Sequence, residues 1–349
     1  MKAYHFIHKA HITALTVLIL ISCLGLQAQV IKWNPNQFRK VDMAERSDTA
    51  FVFVSNRPIS ANGMTEVPEL TDTSQRHILY ISKEDSGWMV QEMQSLKEAM
   101  ALLPHRDWVI YTEGMGKTFS GNMKRAYLMQ KQYPVNVLLF DYASINHDLG
   151  LMKNFRFSLN NAKNSYRQYF QMLDSIRYFK MKTELFKEEK ITLFFHSMGN
   201  LVFREMMLHK LTVSWKEVFV DHVVLNAACV PQKNHIQWIQ DVHFAQRIYV
   251  HYNRQDEKLG GATLLSGNRK LGRRFRPPYS KVIRYIDFNS AVGSTHNYFL
   301  DLPERKYRQS KIIHHYFEEI LQGREVQLSD PDYFSGRGRF AGARINKDG

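Results

Sequence analysis

Short apolar runs alternate with amphipathic stretches along most of the chain. Phe51 to Ser55, Trp108 to Thr112, Val135 to Phe140 and Ile191 to Phe195 are strand-length and rich in β-branched and aromatic residues. His77 to Ser82, His222 to Asn226, Arg247 to Tyr252 and Val282 to Ile286 read as further strands. Between them, apolar residues recur at three-to-four spacing. Met89, Met93, Leu96 and Met100 predict a helix over 89–103. A second runs to about Gln132, where Pro134 follows, and Tyr166, Phe170, Leu173 and Ile176 mark a long third. Tyr307 to Leu321, with Ile312, Tyr316, Phe317 and Ile320 on its inner face, predicts a closing helix. Strands and helices in this rhythm predict an α/β fold, a mainly parallel sheet with helices on both sides.

The rhythm places one domain over residues 29–322, with no internal repeat and no linker that would split it. From Gly323 the chain turns polar and rich in Gly and Arg, and a mobile basic tail is expected over 323–349. Lys2 and Lys9 precede an apolar run from Ile12 to Leu26, which has the shape of a signal peptide over residues 1–28. Gln27-Ala28-Gln29 offers a small residue before the cut and a mature chain starting at Gln29. Leu20-Ile21-Ser22-Cys23 is the alternative, a lipobox that would lipidate Cys23, and an uncleaved anchor is a third reading. Export is expected in each case, to the periplasm, the cell surface or the medium. Cys23 and Cys229 are the two cysteines, so the mature domain holds one thiol and no internal disulfide.

The 349 residues carry a formal net charge of +14. Such a balance favours contact with anionic surfaces, but no nucleic-acid-binding motif accompanies it. Arg269, Lys270, Arg273, Arg274 and Arg276 form the densest basic segment. Gly114-Met115-Gly116-Lys117-Thr118 is glycine-rich yet lacks the Walker spacing, which excludes a phosphate loop. His314 and His315 are adjacent on a helix and cannot share a face, so no metal or cofactor site is expected.

The chemistry concentrates at His196-Ser197-Met198-Gly199. Behind it lies the apolar-rich run from Ile191, and ahead Leu201, Val202, Met206 and Leu208 fall near helical spacing. A serine at a strand-to-helix turn is lifted above the sheet, and the helix amides face the charge that develops on its substrate. The same stretch also fits a buried strand and a helix with Ser197 as its N-cap. A serine nucleophile needs a histidine and an acid, which in α/β hydrolases follow it in the order acid, then histidine. Asp256, with Glu257 as rival, follows the strand ending at Tyr252. His296 lies in a polar loop after the strand ending near Ile286. The oxyanion amides would be those of Met198 and of Met115, in the loop after Thr112.

These motifs resemble a bacterial α/β-hydrolase family described as esterase/lipase-like. The resemblance runs from about Phe51 to Leu302 and rests on Ser55-Asn56-Arg57, Glu113-Gly114-Met115, Phe195 through Asn200, Asn253 to Asp256, Leu271-Gly272-Arg273, and Thr295 through Phe299. It implies a serine hydrolase that cleaves a small-molecule or lipid ester through an acyl-serine intermediate, with Ser197, Asp256 and His296 as its triad. The alternative is a catalytically silent binding module of the same fold at the cell envelope. Two positions depart from the family pattern. Phe195 stands where a small residue is usual, and Glu113 where the family has histidine. An active site requires the Glu113 carboxylate to turn away from the oxyanion. Intact mass of the exported protein should show a mature chain beginning at Gln29; a diacylated Cys23 would overturn that start.

Overall fold

The structure is a computed structural model that describes residues 38–40, 46–59, 69–84, 87–274 and 276–347. The expected leader and its cleavage site lie outside the described residues. Among the described residues no helix is long and apolar enough to cross a membrane.

Among the described residues twelve strands form one sheet. The first four are β1 (Phe38–Lys40), β2 (Phe51–Ser55), β3 (His77–Glu84) and β4 (Gly87–Glu92), followed by helix α1 (Leu96–Ala101). Strand β5 (Trp108–Thr112), helix α2 (Phe119–Gln132) and strand β6 (Asn136–Asp141) come next. Helices α3 (Leu151–Asn164) and α4 (Tyr166–Lys182) then lead to β7 (Ile191–His196) and α5 (Gly199–Leu208). Beyond lie β8 (Val220–Asn226), α6 (His235–Ile239), β9 (Ala245–Tyr252), α7 (Glu257–Ser266), β10 (Ile283–Asp287), α8 (Lys311–Leu321), β11 (Phe334–Arg337) and β12 (Ala343–Ile345). The sheet order is β1-β4-β3-β2-β6-β5-β7-β8-β9-β10-β12-β11. From β2 through β12 every neighbouring pair in that order is parallel.

Central strands buried on both faces read as continuous apolar runs, because each side chain meets a helix whichever way it points. Strand β7 is completely buried. Phe194 packs on Phe317 of α8 on one face, at 6.3 Å between ring centroids. Phe195 packs on Tyr169 of α4 and Phe203 of α5 on the other, at 5.4 and 4.6 Å. The bulky residue before the elbow thus fills the helix layer and leaves the turn uncrowded.

Two expectations are corrected. The helix expected over 89–103 is instead strand β4 followed by α1, which Ser95 caps by accepting from the Glu98 amide. Its methionines fit helical spacing, but Gly87 to Glu92 pair antiparallel with β3. The expected mobile tail contains two strands. β12 adds parallel to β10, with Ile286 opposite Ala343, and β11 folds back antiparallel on it. A side chain at Gly342 would place its Cβ 1.8 Å from the Tyr285 carbonyl oxygen, at a φ of +72°. Glycine is required there.

A buried ion pair ties the first half of the sheet to the loops above it. Arg57 Nε donates to Asp141 Oδ2 at 2.8 Å, and both side chains are inaccessible to solvent. Asp141 also accepts from Ser55 Oγ at 2.8 Å and from Asn122 Nδ2 at 2.6 Å. Arg57 donates to the carbonyls of Lys117 and Tyr142 at 3.1 and 3.2 Å. Asp141→Asn leaves a buried guanidinium without its counter-charge and should destabilise the fold by about 3–5 kcal/mol in urea unfolding.

Candidate active site

The C-terminal ends of β5, β7, β8, β9 and β10 converge on one edge of the sheet, where ligand crevices open in such folds. Ser197 occupies the turn between β7 and α5 at a φ of +52°, a left-handed conformation uncommon for residues other than glycine. It is half-buried, and Met198 rather than Ser197 stands at the N-cap. The reading of Ser197 as a helix cap is therefore not the one the fold adopts. The turn is stapled to β8: the Ser197 amide donates to the Asn226 carbonyl at 3.1 Å, and its carbonyl accepts from the Cys229 amide at 3.0 Å. Asn200 Nδ2 reaches the carbonyls of Phe195 and Ser197 at 3.1 and 3.0 Å. Backbone strain at a turn persists only when the surroundings over-determine it, and these bonds do so.

Glycine is essential at the start of α5. A Cβ on Gly199 would lie 2.4 Å from the Thr112 carbonyl oxygen and 2.8 Å from that of Glu113. The contact brings the loop after β5 against the serine. Gly114, in turn, would place a Cβ 2.5 Å from Ser197 Cβ, 3.0 Å from its Oγ and 3.0 Å from the Met198 nitrogen. Gly114, the residue before Met115, and the Met198 nitrogen thus lie against the Ser197 side chain. Among the described residues no acceptor takes the amide of Met115 or of Met198.

Asp256 performs two tasks with its two oxygens. Oδ1 caps α7 by accepting from the Leu259 amide at 2.9 Å, and Oδ2 pairs with His296 Nδ1 at 2.6 Å. Asp256 is buried and Glu257 beside it is exposed. A carboxyl on Nδ1 fixes the imidazole's orientation and leaves Nε2 for a reacting group. The His296 ring lies 4.6 Å from that of His196, the residue preceding Ser197. Among the described residues no hydrogen bond joins Ser197 to His296; catalytic bonds of this kind are commonly long until substrate binds.

Asn253 and Gly272, which the sequence shows only as members of motifs, position these loops. Asn253 Nδ2 donates to the carbonyls of Gly293 and Thr295 at 2.7 and 3.3 Å, clamping the histidine loop to the acid loop. The Asn253 amide donates to Gly272 at 2.9 Å, and the Gly272 amide to Ala228 at 3.0 Å. A Cβ on Gly272 would meet the Ala228 nitrogen at 2.1 Å. The Leu271-Gly272-Arg273 turn is therefore the brace between the serine and acid loops. Its neighbours are more than a solvated basic run, since Lys270 is buried and Arg273 Nε donates to the Asp256 carbonyl at 3.0 Å.

Beneath the site runs a buried polar ladder. Asn226 Nδ2 donates to His196 Nδ1 at 3.1 Å, and Asn226 Oδ1 accepts from His251 Nδ1 at 3.1 Å. His251 Nε2 then accepts from the Tyr316 hydroxyl at 2.9 Å. This order leaves the His196 proton on Nε2, which faces Glu113 Oε1 at 3.7 Å. The Glu113 side chain turns back on its own loop, accepting from the Gly114 amide at 2.8 Å and the Tyr111 hydroxyl at 2.6 Å. Arg125 Nε lies 3.4 Å from its Oε2. Burial pushes the Glu113 carboxyl up, but the cations beside it and the Gly114 amide outweigh it and hold it below the usual carboxylate range. Burial holds His196 itself well below the usual histidine value. At neutral pH the charges facing Glu113 are therefore those of Arg125 and Lys117.

Buried neutral histidines make stability depend on pH. Burial holds His222 neutral down to about 4 and His251 down to about 3, whereas in the unfolded chain each takes up a proton near 6.5. Below 6.5 the unfolded state binds more protons, so stability falls as pH falls. The slope should reach about 1.4 kcal/mol per pH unit for each histidine still neutral in the fold. Urea unfolding between pH 7.5 and 4.5 should show it, and His251→Gln should flatten it.

No curated protein and no solved structure matches the chain. A family model described as an alpha/beta hydrolase of unknown function (DUF900) matches residues 89–319, about two-thirds of the chain, from β4 to the end of α8. With its parallel sheet and the strand-turn-helix at Ser197, the chain belongs to this α/β-hydrolase family.

Proposed function

We propose that the protein is a serine hydrolase that cleaves a carboxylic ester through an acyl-serine intermediate. The observation that carries the reading is the part-buried pair between Asp256 Oδ2 and His296 Nδ1 at 2.6 Å, on the same sheet edge as a serine held at a φ of +52°. In this reading Ser197 Oγ attacks the carbonyl carbon while His296 Nε2 takes its proton. The Met115 and Met198 amides receive the oxyanion. His296 returns the proton to the leaving alcohol, and a water then repeats the sequence to release the acid. Asp256 holds the imidazole in the tautomer the transfer requires. Thioesters and amides share this chemistry, and the leaving group is the part that differs.

The reading is tested with a short-chain aryl ester and a fluorophosphonate label. Ser197→Ala or His296→Ala should lower kcat by a factor on the order of a million, and the double variant should cost little more, because the residues act as a unit. Asp256→Asn should cost roughly ten-thousand-fold by the wrong-tautomer effect. Glu257→Gln should keep most of the activity. Ester turnover that survives Ser197→Ala, or a wild-type protein that takes up no label, would instead favour a silent binding module.

A further inference from the structure

Glu113 is the residue that most departs from the expected pattern, and its surroundings give the departure a purpose. The loop over residues 113–117 hugs the Ser197 side chain through Gly114. Its amides are engaged one after another. That of Gly114 donates to Glu113 Oε1 at 2.8 Å, that of Gly116 to the Ser144 carbonyl at 2.9 Å, and that of Lys117 to Ser144 Oγ at 3.0 Å. The Glu113 carbonyl accepts from the Tyr142 hydroxyl at 3.2 Å. Among the described residues the Met115 amide alone in residues 114–117 has no acceptor.

Resting on the serine-hydrolase reading, we infer that Glu113 is a positioning residue for the oxyanion site. Its carboxylate fixes the Gly114 peptide so that the next amide, Met115, faces the substrate oxygen. The carboxylate can do this because it is itself held from three elements. The Tyr111 hydroxyl comes from β5, Arg125 Nε from α2, and His196 Nε2 stands 3.7 Å away at the end of β7. A preorganised donor costs no rearrangement when the negative charge appears, which is why its aim matters more than its mere presence. One oxygen serves the loop amide and the other serves Tyr111 and Arg125, so the two jobs need both oxygens of an ionised carboxyl. Arg125 and Lys117 offset its charge, and its turn toward the interior keeps it off the oxyanion.

The test measures kcat and KM per active site, counted by fluorophosphonate titration, for the aryl ester above. Glu113→Ala should lower kcat by about a hundred- to a thousand-fold, the loss typical of one misaimed oxyanion donor, with KM within about threefold. Glu113→Gln keeps an acceptor for Gly114 and should recover at least about tenfold over alanine. Should Glu113→Ala not fold, Glu113→Ala with Arg125→Leu removes both buried charges together and is read in the same assay, where the same kcat loss is expected. A purely structural role would lower the melting temperature and leave kcat per titrated site at the wild-type value, and that result overturns the inference. So does a glutamine variant no better than alanine. A wild-type protein that neither labels nor turns over ester overturns the hydrolase reading itself, and the inference falls with it.

Discussion

The site depends on how closely two pieces of backbone approach one another. The carbonyls of Thr112 and Glu113 lie so near the first residue of α5 that even a methyl group would collide with them. That contact fixes the distance between the loop after β5 and the turn at Ser197. Once it is set, Gly114 lies against the serine side chain and the Met198 nitrogen. A second close approach, Gly272 on Ala228, repeats the device between the serine turn and the acid loop. The edge is thus braced by backbone against backbone, with glycine at each crossing because nothing larger fits.

Much of this was legible in the sequence because buried parallel strands announce themselves. Phe51 to Ser55, Trp108 to Thr112 and Ile191 to Phe195 had to be continuous apolar runs to satisfy helices on both faces, and they are strands. Asp256 and His296 could be picked out because each follows such a strand in a polar loop, in the order the chemistry asks for. The rest had no pattern to read. Strand β4 was masked by methionines that happen to fall at helical spacing. Strands β11 and β12 are too short for a period of two to show, and their partners lie far back in the chain. Asn200 and Asn253 tie together backbones, and Asn226 ties two histidine side chains, that meet only after folding, and the motifs containing Asn200 and Asn253 do not show what each one holds. Phe195 looked like an obstacle because the sequence does not say which face of the strand it occupies.

The ladder from Glu113 through His196 and Asn226 to His251 places unusual polarity under the site. The Glu113 charge in it is offset by Arg125 and Lys117. The histidines stay neutral, so the ladder contributes directional hydrogen bonds rather than further charge. Orientation and electrostatics are thereby divided between different residues.

The segment after α8 has a consequence for the timing of folding. The Tyr252 hydroxyl donates to the Ala341 carbonyl and accepts from the Phe340 amide, at 3.0 and 3.1 Å. Asp287 Oδ2 accepts from the Arg339 amide at 2.6 Å. Tyr252 and Asp287 end the two strands that lead into the acid and histidine loops. A growing chain that has passed His296 but not yet reached residue 341 already contains Ser197, Asp256 and His296, yet the bases of both loops lack their neighbours. Domains assemble as synthesis proceeds, so the edge that carries the candidate site is closed by residues made after those that line it.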